Sequence, residues 1–413
     1  MTHSIRTVAV VGAGIGGLMS ALALSRFGIR TLIFERDTPP PINVPPADSM
    51  TWRRKGVPQS LHPHFFMGRL RVLLEQNYPD LIEALLEGGA GENRIEDYVH
   101  PSVRQRFHPS AEDERLRSLN ARRTTFEMIV RERVRALPTV EIRDKARALD
   151  LLIDDASAPC TVKGLRIDAP GGPEIVEADA VIDASGRFSK LAEQLARAGV
   201  HMDIEQEDSG IWYLTRHYRL RPGCRYPSSS GLPGAQFADF IVGALPADNG
   251  AFTVTFQIYQ EDRDIVRALR DPEHFQAMCT AVGAIAPWVD PQTAEPTSDV
   301  YGFGQMDSFW RHTVLGNTPQ VLNYYCVGDS GIRSNPKFGR GCTWTAVAAH
   351  RLAQLLADSM TPSARIRRYE QCLREEFRTD WETMLDIDRR TRAGFEIAAG
   401  RRSATARGRV GQW

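Results

Sequence analysis

The feature that most constrains this 413-residue chain is a glycine pattern near its N-terminus. A continuous apolar run over residues 7–11 leads directly into G-x-G-x-x-G at residues 12–17. The following residues predict a helix over 15–27, and a second apolar run over 31–34 ends at Glu35. Strand, glycine turn, helix, strand and acid in this order predict the βαβ unit that binds a dinucleotide.

Each part of this unit has a physical role. Gly12 permits a tight turn, Gly14 lets a diphosphate approach the backbone, and Gly17 lets the helix pack closely on the strand. The helix that begins at Ile15 directs unpaired N–H groups and a partial positive charge at the phosphates. Glu35 lies where a carboxylate accepts hydrogen bonds from ribose hydroxyls, which favours an unphosphorylated ribose and therefore FAD or NAD.

Two later segments favour FAD. Residues 180–187 read as a strand that runs into a small-residue turn, and residues 321–329 read as a strand that ends at Gly328 and Asp329. Gly339 and Gly341 then precede a predicted helix over 343–357. A flavin needs a second anchor beyond the diphosphate, and this segment offers a carboxylate for the ribityl hydroxyls and a helix N-terminus for the reduced ring. A strand–turn–helix crossover without a ligand is the alternative interpretation.

Composition excludes several other classes. Lys plus Arg equals Asp plus Glu at 51 each, so overall charge does not favour nucleic acid or an anionic membrane. Six scattered cysteines without C-x-x-C argue against a disulfide framework or a zinc site and fit a reducing cytoplasm. The apolar stretch over residues 8–25 has its glycines at the fingerprint spacing, so we expect no signal peptide and no integral membrane association.

Four segments carry a resemblance to a known family. They are the fingerprint at 12–35, R-K-G-V-P-Q-S-L-H-P-H at 54–64, R-T-T-F-E at 123–127, and G-D followed by N-P-K-F-G-R-G within 328–341. Together they resemble the flavoprotein monooxygenases of the p-hydroxybenzoate hydroxylase fold, and most of all the branch with the flavin epoxidases of polyether (lasalocid-type) biosynthesis. Leu61 stands where that branch has Arg, and Cys342 stands where it has Met. The W-x-W-x-I-P motif of the related halogenases is absent, which favours oxygenation.

The resemblance implies an α/β fold with a discontinuous Rossmann-like (glutathione reductase-type) FAD-binding domain over 1–80, 120–200 and 320–360. A mixed β-sheet substrate domain over 205–318 is inserted, followed by a C-terminal helix over 361–400 and a flexible tail over 401–413. Arg123 is expected to reach the FAD, Ala148 to lie near the adenine, and the loop of Arg54 and Gln59 to line the flavin. The predicted FAD contacts are Gly12, Gly14, Ile15, Gly17, Glu35, Arg36, Arg54, Gln59, Arg123, Ala148, Gly328, Asp329, Gly339 and Gly341.

Aromatic-rich runs in the middle of the chain predict the sheet that covers the substrate. They lie at 211–218, 237–242, 251–259 and 300–309, with a hairpin signal Asp-Asn-Gly at 248–250. The predicted pocket residues are Trp212, Leu214, Phe256, Tyr301, Phe303, Pro336 and Phe338, with ordinary core packing as the alternative for each. His62 and His64 are expected to pack or hydrogen-bond near the flavin rather than bind a metal.

The resemblance implies a monooxygenase that epoxidises or hydroxylates a lipophilic small molecule of secondary metabolism through a flavin C4a-hydroperoxide. Oxygen is the co-substrate, and NAD(P)H or a separate flavin reductase is expected to supply electrons, since no second nucleotide fingerprint occurs. The flavin carries the chemistry, so no catalytic side chain is assigned. The alternatives are a flavin-dependent reductase or dehydrogenase of an isoprenoid-like alkene and a non-catalytic nucleotide-binding redox module.

Overall fold

The computed structural model describes residues 4–41, 43–99, 101–154, 159–227, 233–304 and 306–400. The predicted tail over 401–413 lies outside these residues. The helices are α1 (Ile15–Ser25), α2 (Gly68–Asn77), α3 (Pro79–Glu87), α4 (Pro101–Arg104), α5 (Ala111–Arg115), α6 (Arg123–Arg135), α7 (Leu191–Arg197), α8 (Arg263–Ala268), α9 (Pro272–Ala281), α10 (Gly341–Ala357) and α11 (Pro362–Ala398).

The strands form several sheets. They are β1 (Thr7–Val11), β2 (Arg30–Glu35), β3 (Phe65–Phe66), β4 (Gly91–Asn93), β5 (Ser118–Asn120), β6 (Val140–Asp144), β7 (Arg147–Asp154), β8 (Cys160–Ala169), β9 (Gly172–Glu177), β10 (Ala180–Asp183), β11 (Asp203–Asp208), β12 (Ile211–Leu220), β13 (Gly234–Gln236), β14 (Phe240–Pro246), β15 (Ala251–Tyr259), β16 (Ala294–Pro296), β17 (Tyr301–Phe303), β18 (Asp307–His312), β19 (Val314–Leu315), β20 (Thr318–Pro319), β21 (Val321–Leu322), β22 (Tyr324–Cys326) and β23 (Ile332–Arg333).

The main sheet is parallel and has the order β22-β10-β1-β2-β6. Val8 and Val10 pack into one core with α1 and α10, whereas Ala9 and Val11 pack into a second core beneath the antiparallel β7–β9 strands. A parallel sheet covered on both faces buries every residue of its central strands, which explains why β1 is continuously apolar rather than alternating.

The glycines of the first turn fit the close packing that the sequence predicts. Gly12 has a φ of +100°, which side chains rarely adopt. A Cβ atom on Gly17 would lie 1.9 Å from the carbonyl oxygen of Gly12, so only glycine lets α1 pack this closely on the turn. The helix ends at Ser25, slightly before the predicted end, and Gly28 follows with a φ of +69°.

The second large sheet has the order β13-β14-β15-β12-β16, with β17 also paired to β12. The sequence predicts a mixed sheet, and every described pair in this sheet is antiparallel. Strands β13, β14 and β15 join through short connections such as the 248–250 turn, whereas β12 pairs with strands that are distant in the sequence. The predicted run over 300–309 divides after Phe303, and β18 pairs instead with β11 and β23. Strand alternation gives this sheet one apolar face, which packs on α8 and α9.

One segment differs in detail from the sequence prediction. The run over 321–329 forms two short strands because Asn323 adopts a φ of +58°, so that β21 pairs with β8 and β22 with β10. The region over 60–136 is mostly helical and also contains β3, β4 and β5, which form a small antiparallel sheet. None of the helices in the described ranges is both long and apolar enough to cross a bilayer.

A buried ion pair connects the hairpin of the second sheet to α6. The Asp248 carboxylate is fully buried and accepts hydrogen bonds from the backbone and the guanidinium of Arg122 and from the hydroxyl of Thr125. Burial alone would raise the pKa of Asp248, but its bonds to Arg122 hold this pKa below its usual value. The contact fixes the second sheet against the FAD-binding part of the chain.

We expect Asp248→Asn to lower the free energy of unfolding by about 3 kcal/mol, because it leaves the Arg122 guanidinium buried without its counterion. Urea denaturation monitored by circular dichroism measures this change. Asp264→Asn is the control, since Asp264 is exposed and its ion pair is with exposed Arg267. Equal stability of the two variants would contradict the role assigned to the Arg122–Asp248 pair.

Candidate functional site

A cavity of about 1490 Å³ lies between the carboxyl ends of the main-sheet strands and the second sheet. Nearly all of the predicted FAD contacts line it: Gly12, Gly14, Ile15, Glu35, Arg36, Arg54, Gln59, Arg123, Ala148, Gly328, Asp329, Gly339 and Gly341. Gly17 does not line the cavity, because it lies where α1 packs against Gly12. Turns that are far apart in the sequence therefore meet at one site, as expected at the carboxyl edge of a parallel sheet.

Two helices begin at this cavity without a side-chain cap. The N-termini of α1 and α10 have no capping hydrogen bond from a side chain and no acidic residue in their first turns. Ile15 and Gly16 line the cavity at α1, and Gly341, Cys342 and Thr343 line it at α10. Uncapped N–H groups carry partial positive charge and suit an anion, so the first helix fits a diphosphate and the second fits the pyrimidine edge of a reduced flavin.

Glu35 is held at the end of β2 by three hydrogen bonds. Its Oε2 atom accepts from the backbone N–H of Ala13 at 2.8 Å and from Arg54 at 2.6 Å, and its Oε1 atom accepts from the N–H of Asp37 at 2.9 Å. The start of β7, including Ala148, lines the same part of the cavity. This is the position that a ribose and an adenine would occupy if the diphosphate lies at α1.

Glu127 belongs to this site, although the sequence analysis assigned it no role. Glu127 is fully buried and forms ion pairs with Arg54 and Arg123. The Nε atom of Arg123 lies 2.7 Å from the Glu127 carboxylate. Burial alone would raise the pKa of Glu127, but these two guanidinium groups hold it below its usual value. The spacing of four residues between Arg123 and Glu127 on one helix was the signal available in the sequence.

The ion pairs of Glu127 direct the guanidinium groups of Arg123 and Arg54 toward the glycine turn. The Nη2 atom of Arg123 lies 3.7 Å from the position of a Cβ atom on Gly14, and the Nη1 atom of Arg54 lies 4.0 Å from the same position. Because Glu127 holds both guanidinium groups, they reach the turn with little freedom to rotate away. These contacts fit the predicted approach of Arg123 to the FAD.

At the second anchor, Asp329 follows β22 and lines the cavity. The amide of Gln59 lies 3.5 Å from the Asp329 carboxylate, so the loop over 54–59 reaches the β22 turn. Burial raises the pKa of the neighbouring Cys342 thiol to about 12, which favours the protonated thiol at neutral pH.

His62 and His64 face different partners in the same cavity. Nδ1 of His62 lies 2.9 Å from the hydroxyl of Thr215 on the second sheet, whereas Nε2 of His64 lies 3.3 Å from Arg123 on the FAD side. Burial lowers the pKa of each to about 3, so both rings are neutral at neutral pH. The two histidines thus bond to different side chains, and their hydrogen-bonding roles near the flavin stay a prediction.

The structure corrects part of the predicted substrate pocket. Phe303, Pro336 and Phe338 line the cavity, whereas Trp212, Leu214, Phe256 and Tyr301 do not. Leu214 and Phe256 belong to the core under α8 and α9, and Trp212 packs against that core. Tyr301 is paired with Thr215 but packs on His217, beside the cavity.

The physical reason is the two-residue period of a strand. On β12 and β15 the most apolar side chains cover the helices, which turns the intervening residues toward the cavity. These intervening residues, which the sequence analysis missed, are Tyr213, Thr255 and Gln257. The available signal was their alternation with the apolar residues.

Residues 6–215 match the family described as an FAD binding domain, and the chain belongs to this family. Protein Rv3254 of Mycobacterium tuberculosis is 28% identical over 369 residues, which cover 84% of this chain and 72% of that protein. The predicted FAD-binding fold and the predicted class, an FAD-dependent oxidoreductase, are confirmed at this level.

Solved structures share the fold at low sequence identity. The flavin-dependent brominase Bmp2 has a TM-score of 0.67 at 14% identity, covering 96% of this chain and 90% of that chain. Pseudomonas aeruginosa PqsL, solved with 2-aminobenzoylacetate, has a TM-score of 0.64 at 16% identity, covering 96% and 100%. The p-nitrophenol 4-monooxygenase PnpA of Pseudomonas putida has a TM-score of 0.64 at 16% identity, covering 96% and 94%. The particular likeness to lasalocid-type epoxidases stays a prediction.

We expect Arg123→Met to weaken FAD binding about tenfold, because a charge-assisted contact near the glycine turn is lost. The quenching of FAD fluorescence during titration of the apoprotein gives the dissociation constant. Arg133→Met, on the same helix but paired with exposed Asp80, serves as the control and should leave this constant unchanged. If both variants bind FAD equally well, Arg123 does not contact the cofactor.

Proposed function

We propose that this protein is an FAD-dependent monooxygenase that transfers one atom of molecular oxygen to a lipophilic small molecule, by epoxidation or hydroxylation. The observation that carries the proposal is the single cavity that joins the glycine turns to the space beneath the second sheet. The name of one protein of similar fold, p-nitrophenol 4-monooxygenase, supports this class of reaction.

The residues of this chain would hold and orient the reacting partners. The N-terminus of α1 and Arg123 suit the diphosphate of FAD, and Asp329 and the N-terminus of α10 suit its ribityl chain and ring. Bound and reduced FAD supplies the activation of oxygen. The chain must keep water away from the reacting ring, since a wet site would release peroxide, and Phe303, Pro336 and Phe338 give the wall an apolar surface for this purpose.

The balanced reaction consumes one substrate, one oxygen molecule, two electrons and two protons, and gives one oxygenated product and one water. We infer that NAD(P)H supplies the electrons, either directly as a transient visitor or through a separate flavin reductase. The resemblance to polyether epoxidases supports a substrate from secondary metabolism, and the six scattered cysteines support a cytoplasmic location.

The test is an oxygen-transfer experiment on the FAD-loaded protein. The protein is reduced anaerobically with NADPH or with dithionite, and then mixed with ¹⁸O₂ and a panel of lipophilic alkenes and arenes. We expect mass spectrometry to find one ¹⁸O atom in a product. A Gly14→Val variant, whose side chain would occupy the diphosphate position, should hold no FAD and form no product.

Other outcomes would contradict the proposal in distinct ways. A saturated product formed without oxygen would assign the protein to the alkene reductases. A bound FAD that dithionite does not reduce would favour the non-catalytic module. Peroxide formation with no labelled product from any compound would also contradict oxygen transfer.

A further inference from the structure

We infer that His62 is a specificity-determining residue, which hydrogen-bonds a neutral oxygen atom of the lipophilic substrate through its Nε2 atom. This inference rests on the proposed function only in taking the cavity as the substrate site. The inference narrows the proposed substrate from any lipophilic small molecule to an apolar molecule that carries a hydroxyl or carbonyl group.

The first observation is a chain of hydrogen bonds that begins and ends at the cavity. Nδ1 of His62 lies 2.9 Å from the hydroxyl of Thr215, which in turn lies 2.9 Å from the hydroxyl of Thr255 on the neighbouring strand. His62 and Thr255 both line the cavity, whereas Thr215 is fully buried between them. This chain of hydrogen bonds engages the Nδ1 atom of His62 and holds the imidazole ring in one orientation.

The second observation is the state of the other ring nitrogen. The His62 residue is only 9% exposed, and its Nε2 atom makes no hydrogen bond with any residue in the described part of the chain. Because burial keeps the ring neutral, one nitrogen donates and the other accepts. The threonine hydroxyls can donate in either direction, so Nε2 can become the partner of a hydroxyl or of a carbonyl oxygen.

The third observation is the polarity of the surrounding wall. The His62 ring stacks on Phe303 with centroids 5.0 Å apart, and Ile241 and Met306 line the same cavity. Gln257 adds a neutral polar side chain that has no hydrogen bond among the described residues. This wall accepts an apolar body with a small neutral polar group.

The cations of this part of the cavity have acidic partners. Arg333 and Arg187 share the buried Asp307 carboxylate at 2.6 Å and 3.1 Å, and Lys337 lies 3.0 Å from Asp388 on α11. A carboxylate on the substrate would therefore have to compete with these buried acids. A neutral oxygen avoids this competition and satisfies Nε2, which a pure hydrocarbon would leave buried without a partner.

The test compares two ligands that differ by one oxygen atom, naphthylmethanol and methylnaphthalene. Each is titrated into the oxidised, FAD-loaded protein, and the dissociation constant is taken from the perturbation of flavin absorbance. The quantity of interest is the ratio of the hydrocarbon constant to the alcohol constant. No reductant is present, so the result does not depend on whether oxygen transfer takes place.

Two variants decide the outcome. We expect His62→Phe, which keeps an aromatic ring against Phe303, to lower the ratio about tenfold relative to the wild type. Thr215→Val, which removes the hydroxyl that orients the imidazole, should lower it in the same direction. His350→Phe is the matched control, because His350 bonds Tyr78 and lies away from the cavity, and it should keep the wild-type ratio.

A ratio that stays within twofold of the wild type in both His62→Phe and Thr215→Val would overturn the inference. Failure of both ligands to bind the wild-type protein would overturn it as well, since the cavity would then not accept this substrate class. FAD content and melting temperature are measured for every variant, and a variant that has lost FAD is replaced in the comparison by the other one.

Discussion

Replacement of Gly17 by alanine is expected to lower the free energy of unfolding by more than about 4 kcal/mol and to abolish FAD binding. The added Cβ atom would lie 1.9 Å from the carbonyl oxygen of Gly12, and this oxygen belongs to rigid backbone that cannot rotate aside. Helix α1 would have to move away from β1, which carries the glycine turn and the helix N-terminus away from their cavity positions. Thermal denaturation and flavin content after purification measure the two effects.

Gly394→Ala provides the matched control, since Gly394 is also a helical glycine. It is exposed on α11, and a Cβ atom there would meet no atom within 4 Å. Alanine favours a helix over glycine by about 1 kcal/mol, so this variant should be slightly more stable than the wild type and should bind FAD normally. A Gly17→Ala protein with normal stability and normal flavin content would refute the packing of α1 described above.

Acidification is expected to lower the free energy of unfolding at pH values well above those at which carboxylates titrate. Burial lowers the pKa of His62 and His64 from 6.5 to about 3 and that of His217 from 6.5 to about 4. Below pH 6.5 the unfolded chain therefore binds protons that the folded chain does not bind, and stability falls as the pH falls. Each histidine contributes about 1.4 kcal/mol per pH unit, so together they remove roughly 6 kcal/mol between pH 7 and pH 5.

Urea denaturation at constant FAD concentration between pH 5 and pH 7.5 measures this dependence. A His217→Gln variant should lose about a third of the slope, since one of the three neutral rings is removed. His274→Gln, in which an exposed side chain is replaced, should keep the full slope. A stability that does not change across this range would mean that these histidines accept protons without unfolding.

Local patterns in the sequence were sufficient to predict most of the residues that line the cavity at the glycine turns. Strand β1, the glycine turn, helix α1 and Glu35 lie within one short stretch of chain, and their chemistry follows from turn geometry and burial alone. The cavity positions of Asp329 and Gly341 could also be predicted. Here too a strand end is followed by glycines and by the N-terminus of a long helix, which suits an anion.

The lining of the cavity beneath the second sheet was predicted less well for a definite reason. Period-two alternation in β12 and β15 shows that two faces exist, but it does not show which face meets the cavity. Apolar character favoured Trp212, Leu214 and Phe256, yet α8 and α9 cover that face and leave Tyr213, Thr255 and Gln257 for the cavity.

By itself, the sequence determined the βαβ dinucleotide unit and the residues that form its turn, since these depend on neighbours within a few tens of residues. Only the tertiary structure decided that Glu127 joins Arg54 to Arg123 and that Thr215 orients His62. Thr215 lies 153 residues from His62, and Arg54 lies 73 residues from Glu127. Contacts of this kind depend on how the second sheet and α6 pack around the cavity, and no local pattern encodes that packing.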